Sequence, residues 1–165
     1  MKYFITLLTI SRIILGSIIF ILLTSPNGYS LAFFLFLITG LTDYLDGYLA
    51  RKYNLVSKLG EILDPIADKI LIIFVLTGLS INLTSYFIGF ISALIISREI
   101  WVSALRDYNS RYNNSDATKV TFLAKIKTTS QLGAISLYLV GLMANNMLII
   151  LFGDMFLFLS LLITL

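Results

Sequence analysis

Apolar residues run through the chain in six long blocks, at roughly 4–24, 29–49, 62–81, 84–105, 122–143 and 146–165. A helix rises about 1.5 Å per residue, so a block of about 20 residues matches the roughly 30 Å hydrocarbon core of a bilayer. The breaks between blocks are of two kinds. Ser25-Pro26-Asn27-Gly28, the stretch from Asn82 to Ser85, and Asn145-Asn146 are short, polar and turn-forming. The connections at about 50–61 and 106–121 are longer and charged. This pattern predicts an all-α polytopic membrane protein: a six-transmembrane-helix bundle forming a single membrane domain over 1–165.

Charge then orients the predicted spans. The turns after the first, third and fifth spans hold no Lys or Arg, and all twelve basic residues lie near the N-terminus or around the two charged connections. The positive-inside rule therefore places the N-terminus, both connections and the C-terminus on the cytoplasmic side of a bacterial-type cytoplasmic membrane. Eight of the nine acidic residues fall on that side; the exception is Asp154, expected near the outer interface or facing the bundle. No small-residue cleavage site follows the first apolar stretch, so the first span is expected to be retained.

Composition narrows the chemistry. Hydrophobic residues make up 58% of the chain and charged residues 13%, about half the roughly 25% of an ordinary soluble domain. Cysteine and histidine are both absent. Disulfides, thiolate or imidazole nucleophiles and soft metal sites are thereby excluded. Acid–base or metal chemistry must rest on carboxylates, supported by Lys, Arg, Tyr and hydroxyls. The net charge of +3 is explained by topology rather than by nucleic acid.

The carboxylates are grouped. Asp43-Tyr-Leu-Asp46-Gly47-Tyr-Leu-Ala50-Arg51 ends the second span, and Gly60-Glu-Ile-Leu-Asp64-Pro-Ile-Ala-Asp68 begins the third. On helices, Asp43 and Asp46 share a face, as do Asp64 and Asp68. A short connection joins the two segments, so the helices are expected to be antiparallel neighbours with both pairs at one membrane level. Four converging carboxylates would repel unless protonated or neutralised by cations. Hard oxygen donors without sulfur or imidazole point to Mg²⁺, Mn²⁺ or Ca²⁺. Gly47 and Ala50 lie on or near the Asp43/Asp46 face and leave room for a ligand, as Gly60 could across the connection. Arg51 adds a planar donor suited to phosphate.

The spacing Asp-x2-Asp-Gly-x2-Ala-Arg-x8-Gly-x3-Asp-x3-Asp resembles the signature of the CDP-alcohol phosphatidyltransferases, with all eight fixed positions matched. A chance match is expected with probability on the order of 10⁻⁸. The resemblance implies a six-helix membrane bundle in which Asp43, Asp46, Asp64 and Asp68 surround two divalent cations, Mg²⁺ or Mn²⁺. It implies that Asp46, Gly47, Ala50, Arg51 and Gly60 bind the CDP-lipid, and that Asp68 is the catalytic base for the acceptor hydroxyl. It also implies a possible homodimer.

Further along, Ser97-Arg98-Glu99-Ile-Trp-Val-Ser103-Ala-Leu105-Arg106 and Lys125-Ile-Lys127-Thr128-Thr-Ser-Gln131 resemble the phosphatidylglycerophosphate synthase branch of that family, as does Leu8-Thr9-Ile-Ser-Arg12. The usual Asn and Pro before the last element are missing, with Tyr3, Phe4 and Ile5 in their place. That branch implies CDP-diacylglycerol as donor and glycerol 3-phosphate as acceptor. Arg98, Arg106, Lys125 and Lys127 are the candidate cations for the acceptor phosphate. Arg111 and Lys119 are expected to meet anionic membrane lipids. Phosphatidylglycerol, inositol phosphate or serine are the rival acceptors. A divalent-cation transporter is the rival class, but it would place acidic groups stepwise across the bilayer rather than at one face.

Overall fold

The computed structural model describes residues 2–52, 58–111 and 122–164. Among these residues are six α-helices, one short 3-10 turn and no strand. The order is α1 (Lys2–Leu23), the turn Pro26–Gly28, α2 (Tyr29–Lys52), α3 (Lys58–Asn82), α4 (Tyr86–Arg111), α5 (Phe122–Met143) and α6 (Met147–Thr164). The all-α expectation holds, and each helix covers one predicted apolar block. By length and composition one described segment, Tyr86–Leu105, is long and apolar enough to cross a membrane, while Ile10–Leu23 and Met147–Ile163 are apolar over shorter lengths. Large apolar side chains stand exposed on every helix, among them Ile21, Phe34, Ile81, Phe90, Leu132 and Leu148.

The chain divides into two units, Met1–Thr84 and Ser85–Leu165. In the first, α1 packs against both α2 and α3, while α2 and α3 make no close backbone contact with each other among the described residues. The two Asp-bearing helices, expected as antiparallel neighbours, both make their closest backbone contacts with α1. The reason is the surface α1 offers. Arg12, Gly16, Ile19 and Leu23 recur at helical spacing and are all buried. Gly16 permits close approach, since a Cβ there would sit 3.2 Å from the Cα of Leu71. Gly78 of α3 does the same from the other side, where a Cβ would come within 2.9 Å of Leu23. Small residues at such crossings let helices pack where water supplies no driving force.

The second unit is organised around α6, which packs on α5 and, less extensively, on α4. A Cβ at Gly153 would lie 2.9 Å from the ring of Tyr138, so α6 presents a flat face to that ring. Tyr138 is fully buried, and its hydroxyl donates to Asp154 Oδ1 at 2.7 Å. Asp154 thus takes the inward of its two expected placements.

The predicted polar breaks terminate helices as turn chemistry requires. Thr84 and Asn145, just beyond α3 and α5, both adopt φ 47°, the left-handed geometry that ends a helix. Asn82 adds a clasp, its amide donating to the Leu23 carbonyl at 2.6 Å and to the Tyr29 hydroxyl at 3.0 Å.

Candidate active site

The acidic residues sit on the stripes by which their helices pack. On α2, Ala32, Phe36 and Thr39 are buried, and Asp43 continues the same i, i+4, i+7, i+11 series. On α3, Asp64 and Asp68 lead into buried Leu71 and Val75 at intervals of four, three and four residues. Pro65 lies inside α3 between them; lacking an N–H, it leaves the backbone carbonyl one turn earlier without its usual helical donor. Packing thus aims both carboxylate-bearing faces toward α1.

There they meet Arg12. Its Nη1 lies 2.6 Å from Asp43 Oδ1 and donates to Asp68 Oδ1 at 2.6 Å, while its Nη2 is 3.9 Å from Asp64 Oδ1. Burial is asymmetric. The arginine side chain is 1% exposed, whereas those of Asp43, Asp64 and Asp68 are 50%, 43% and 51% exposed. The guanidinium is enclosed by the protein, and the carboxylates open outward.

Three of the four expected metal ligands are therefore brought to one cation. The side chains of Asp46, Gly47, Ala50, Arg51 and Gly60 lie outside the described residues, so the fourth ligand and the CDP-lipid contacts do too. Among the described residues no three acidic side chains are disposed around a common metal position; the point where three of them converge is taken by Arg12. The donor set still fits a hard divalent cation, since it consists of carboxylate oxygens and two already converge on a single positive nitrogen.

In the second unit, Lys127 Nζ donates to Glu99 Oε1 at 2.8 Å, and both side chains are largely buried, at 11% and 15% exposure. Ser160 of α6 donates to the Lys127 carbonyl at 3.4 Å. Lys127, expected as a cation for the acceptor phosphate, thus already has a carboxylate partner. Arg98 is half-buried and makes no ion pair with another described residue. The side chains of Arg106 and Lys125 lie outside the described residues.

Two participants escaped sequence reasoning: Arg12 as the partner of the aspartates, and Glu99 as the partner of Lys127. A signal for the first was present, because an arginine within an apolar helix demands a carboxylate or a phosphate.

The model of the CDP-alcohol phosphatidyltransferase family matches residues 5–165. Curated relatives are similar over most of the chain. The CDP-diacylglycerol–glycerol-3-phosphate 3-phosphatidyltransferase of Escherichia coli strain K12 is 33% identical over 133 residues, covering 79% of this chain and 73% of the relative. The protein of the same name from Salmonella choleraesuis strain SC-B67 is 32% identical over the same coverage. With its eight-position signature intact and three of the signature aspartates meeting at one point, the chain belongs to the CDP-alcohol phosphatidyltransferase family, whose members are phosphatidyl-transferring enzymes.

Proposed function

We propose that the chain transfers a phosphatidyl group from CDP-diacylglycerol to glycerol 3-phosphate, giving phosphatidylglycerophosphate and CMP. The observation that carries the reading is the meeting of Asp43, Asp64 and Asp68 from two helices at one cationic point. The acceptor follows from the relatives' names together with the Arg98 and Lys125–Lys127 segments. The test is CMP release by purified protein, with CDP-diacylglycerol and a panel of acceptors. Release with phosphatidylglycerol, inositol phosphate or serine, and none with glycerol 3-phosphate, would reassign the acceptor.

On this reading Asp43, Asp46, Asp64 and Asp68 hold two divalent cations, Mg²⁺ or Mn²⁺, which supply charge stabilisation at the diphosphate. Asp46, Gly47, Ala50, Arg51 and Gly60 receive the CDP end of the lipid. Asp68, with its side chain half-exposed, accepts the proton of the acceptor hydroxyl. That oxygen attacks the phosphatidyl phosphorus, the bond from that phosphorus to the oxygen shared with CMP breaks, and CMP carries away the electron pair. Arg98, Arg106, Lys125 and Lys127 bind the acceptor phosphate.

The two units act as one domain over 1–165, a reading supported by the single family model that runs across both. All six helices cross a cytoplasmic membrane, with the N-terminus and active site on the cytoplasmic face. The exposed apolar side chains on every helix and the one-sided distribution of Lys and Arg support this. Membrane lipids cover those apolar faces, and a homodimer is part of the same reading.

A further inference from the structure

Arg12 is the most enclosed charged group among the described residues, and its partners come from two different helices. Asp43 belongs to α2, and Asp64 and Asp68 to α3. One guanidinium offsets one of three negative charges, so the cluster still attracts a divalent cation. The guanidinium and a metal compete, however. Both are positive, and Nη1 engages Oδ1 of Asp43 and of Asp68, two oxygens the metal would draw on.

We propose that Arg12 is a resident counter-cation of the carboxylate centre, assembling Asp43, Asp64 and Asp68 on α1 before metal arrives and lowering the centre's affinity for the metal. The proposal rests on reading this centre as a divalent-cation site. Arg12 acts through the carboxylates and is a positioning residue. Because coupling between two ligands is reciprocal, each metal bound loosens the hold of Arg12, and Arg12 keeps the metal exchangeable.

The experiment uses the full chain in detergent, stripped with chelator and titrated with Mn²⁺, with free Mn²⁺ followed by electron paramagnetic resonance. In Arg12→Gln, Mn²⁺ binding should tighten by about 5- to 150-fold, the usual span of such coupling. The same variant should unfold at a lower temperature than wild type in chelator and gain more from added Mn²⁺. Arg12→Lys keeps the charge but loses the two-pronged geometry, and should bind Mn²⁺ with intermediate affinity. Folded Arg12→Gln that binds Mn²⁺ no tighter than wild type overturns the proposal. Should Arg12→Gln fail to fold in both chelator and Mn²⁺, Arg12→Lys decides: tighter binding than wild type supports the proposal, equal or weaker binding overturns it. Wild-type protein that binds no Mn²⁺ and releases CMP unaffected by chelator removes the metal reading, and this proposal with it. Normal wild-type binding with unaltered variants removes this proposal alone.

Discussion

Asp43 and Asp68 share one nitrogen of Arg12 yet have different work in the proposed reaction, and Asn substitutions separate them. Asp68→Asn keeps the shape of the side chain but removes its basicity. CMP release should fall by about 10²-fold or more while CDP-lipid binding stays measurable. Asp43→Asn should weaken Mn²⁺ and CDP-lipid binding as well; identical loss of binding in both would deny Asp68 a separate role. For the acceptor, Arg98→Gln should lower kcat/KM for glycerol 3-phosphate by roughly 10- to 150-fold, the usual worth of a charge-assisted hydrogen bond. The KM for CDP-diacylglycerol should move far less, and unchanged acceptor kinetics would reduce Arg98 to a topology charge. Lys127→Gln is a less clean probe, because it also strands the largely enclosed Glu99, so its unfolding temperature should drop where that of Arg98→Gln does not. The aspartates were legible in the sequence because their spacing is local. Arg12–Asp68 and Lys127–Glu99 were not, since these pairs are 56 and 28 positions apart and depend on which helices face each other.

Helices announced themselves through turn residues at their ends, and their observed bounds follow those breaks closely. Their packing order was not announced. In a chain apolar on nearly every face, the periodic stripe that marks a core is hidden, and adjacency in sequence suggested that α2 and α3 pair. Arg12, Gly16, Ile19 and Leu23 give α1 a buried face, and α2 and α3 both make their closest backbone contacts with this helix. Gly16→Leu should therefore force α1 away from Leu71 and cost about 1–3 kcal/mol, read as a lower unfolding temperature in detergent. A tolerated leucine would mean the crossing is looser than the 3.2 Å approach indicates. The turn after α3 predicts the opposite sign. Thr84 is β-branched and held at φ 47°, a strained combination. Thr84→Gly should stabilise by about 1 kcal/mol, whereas Asn145→Gly, starting from a residue that tolerates this geometry, should gain less.

For the whole molecule, the absence of cysteine makes a topology experiment direct, because any introduced thiol is unique. Asn27→Cys should react with an impermeant reagent from outside the cell, and Tyr108→Cys only after the membrane is opened; the reverse pattern would invert the proposed orientation. Removing divalent cations should abolish CMP release, and Mg²⁺ or Mn²⁺ should restore it. Full turnover after exhaustive chelation would end the metal-dependent reading. The arrangement of α1 also bears on biosynthesis. Arg12 and all four signature aspartates lie within the first 84 residues, the extent of the first unit. A ribosome therefore finishes the negatively charged half of the chemistry, with its own positive partner, before it begins α4. The pairing of Arg12 with Asp43 and Asp68 therefore needs nothing from the second half of the chain.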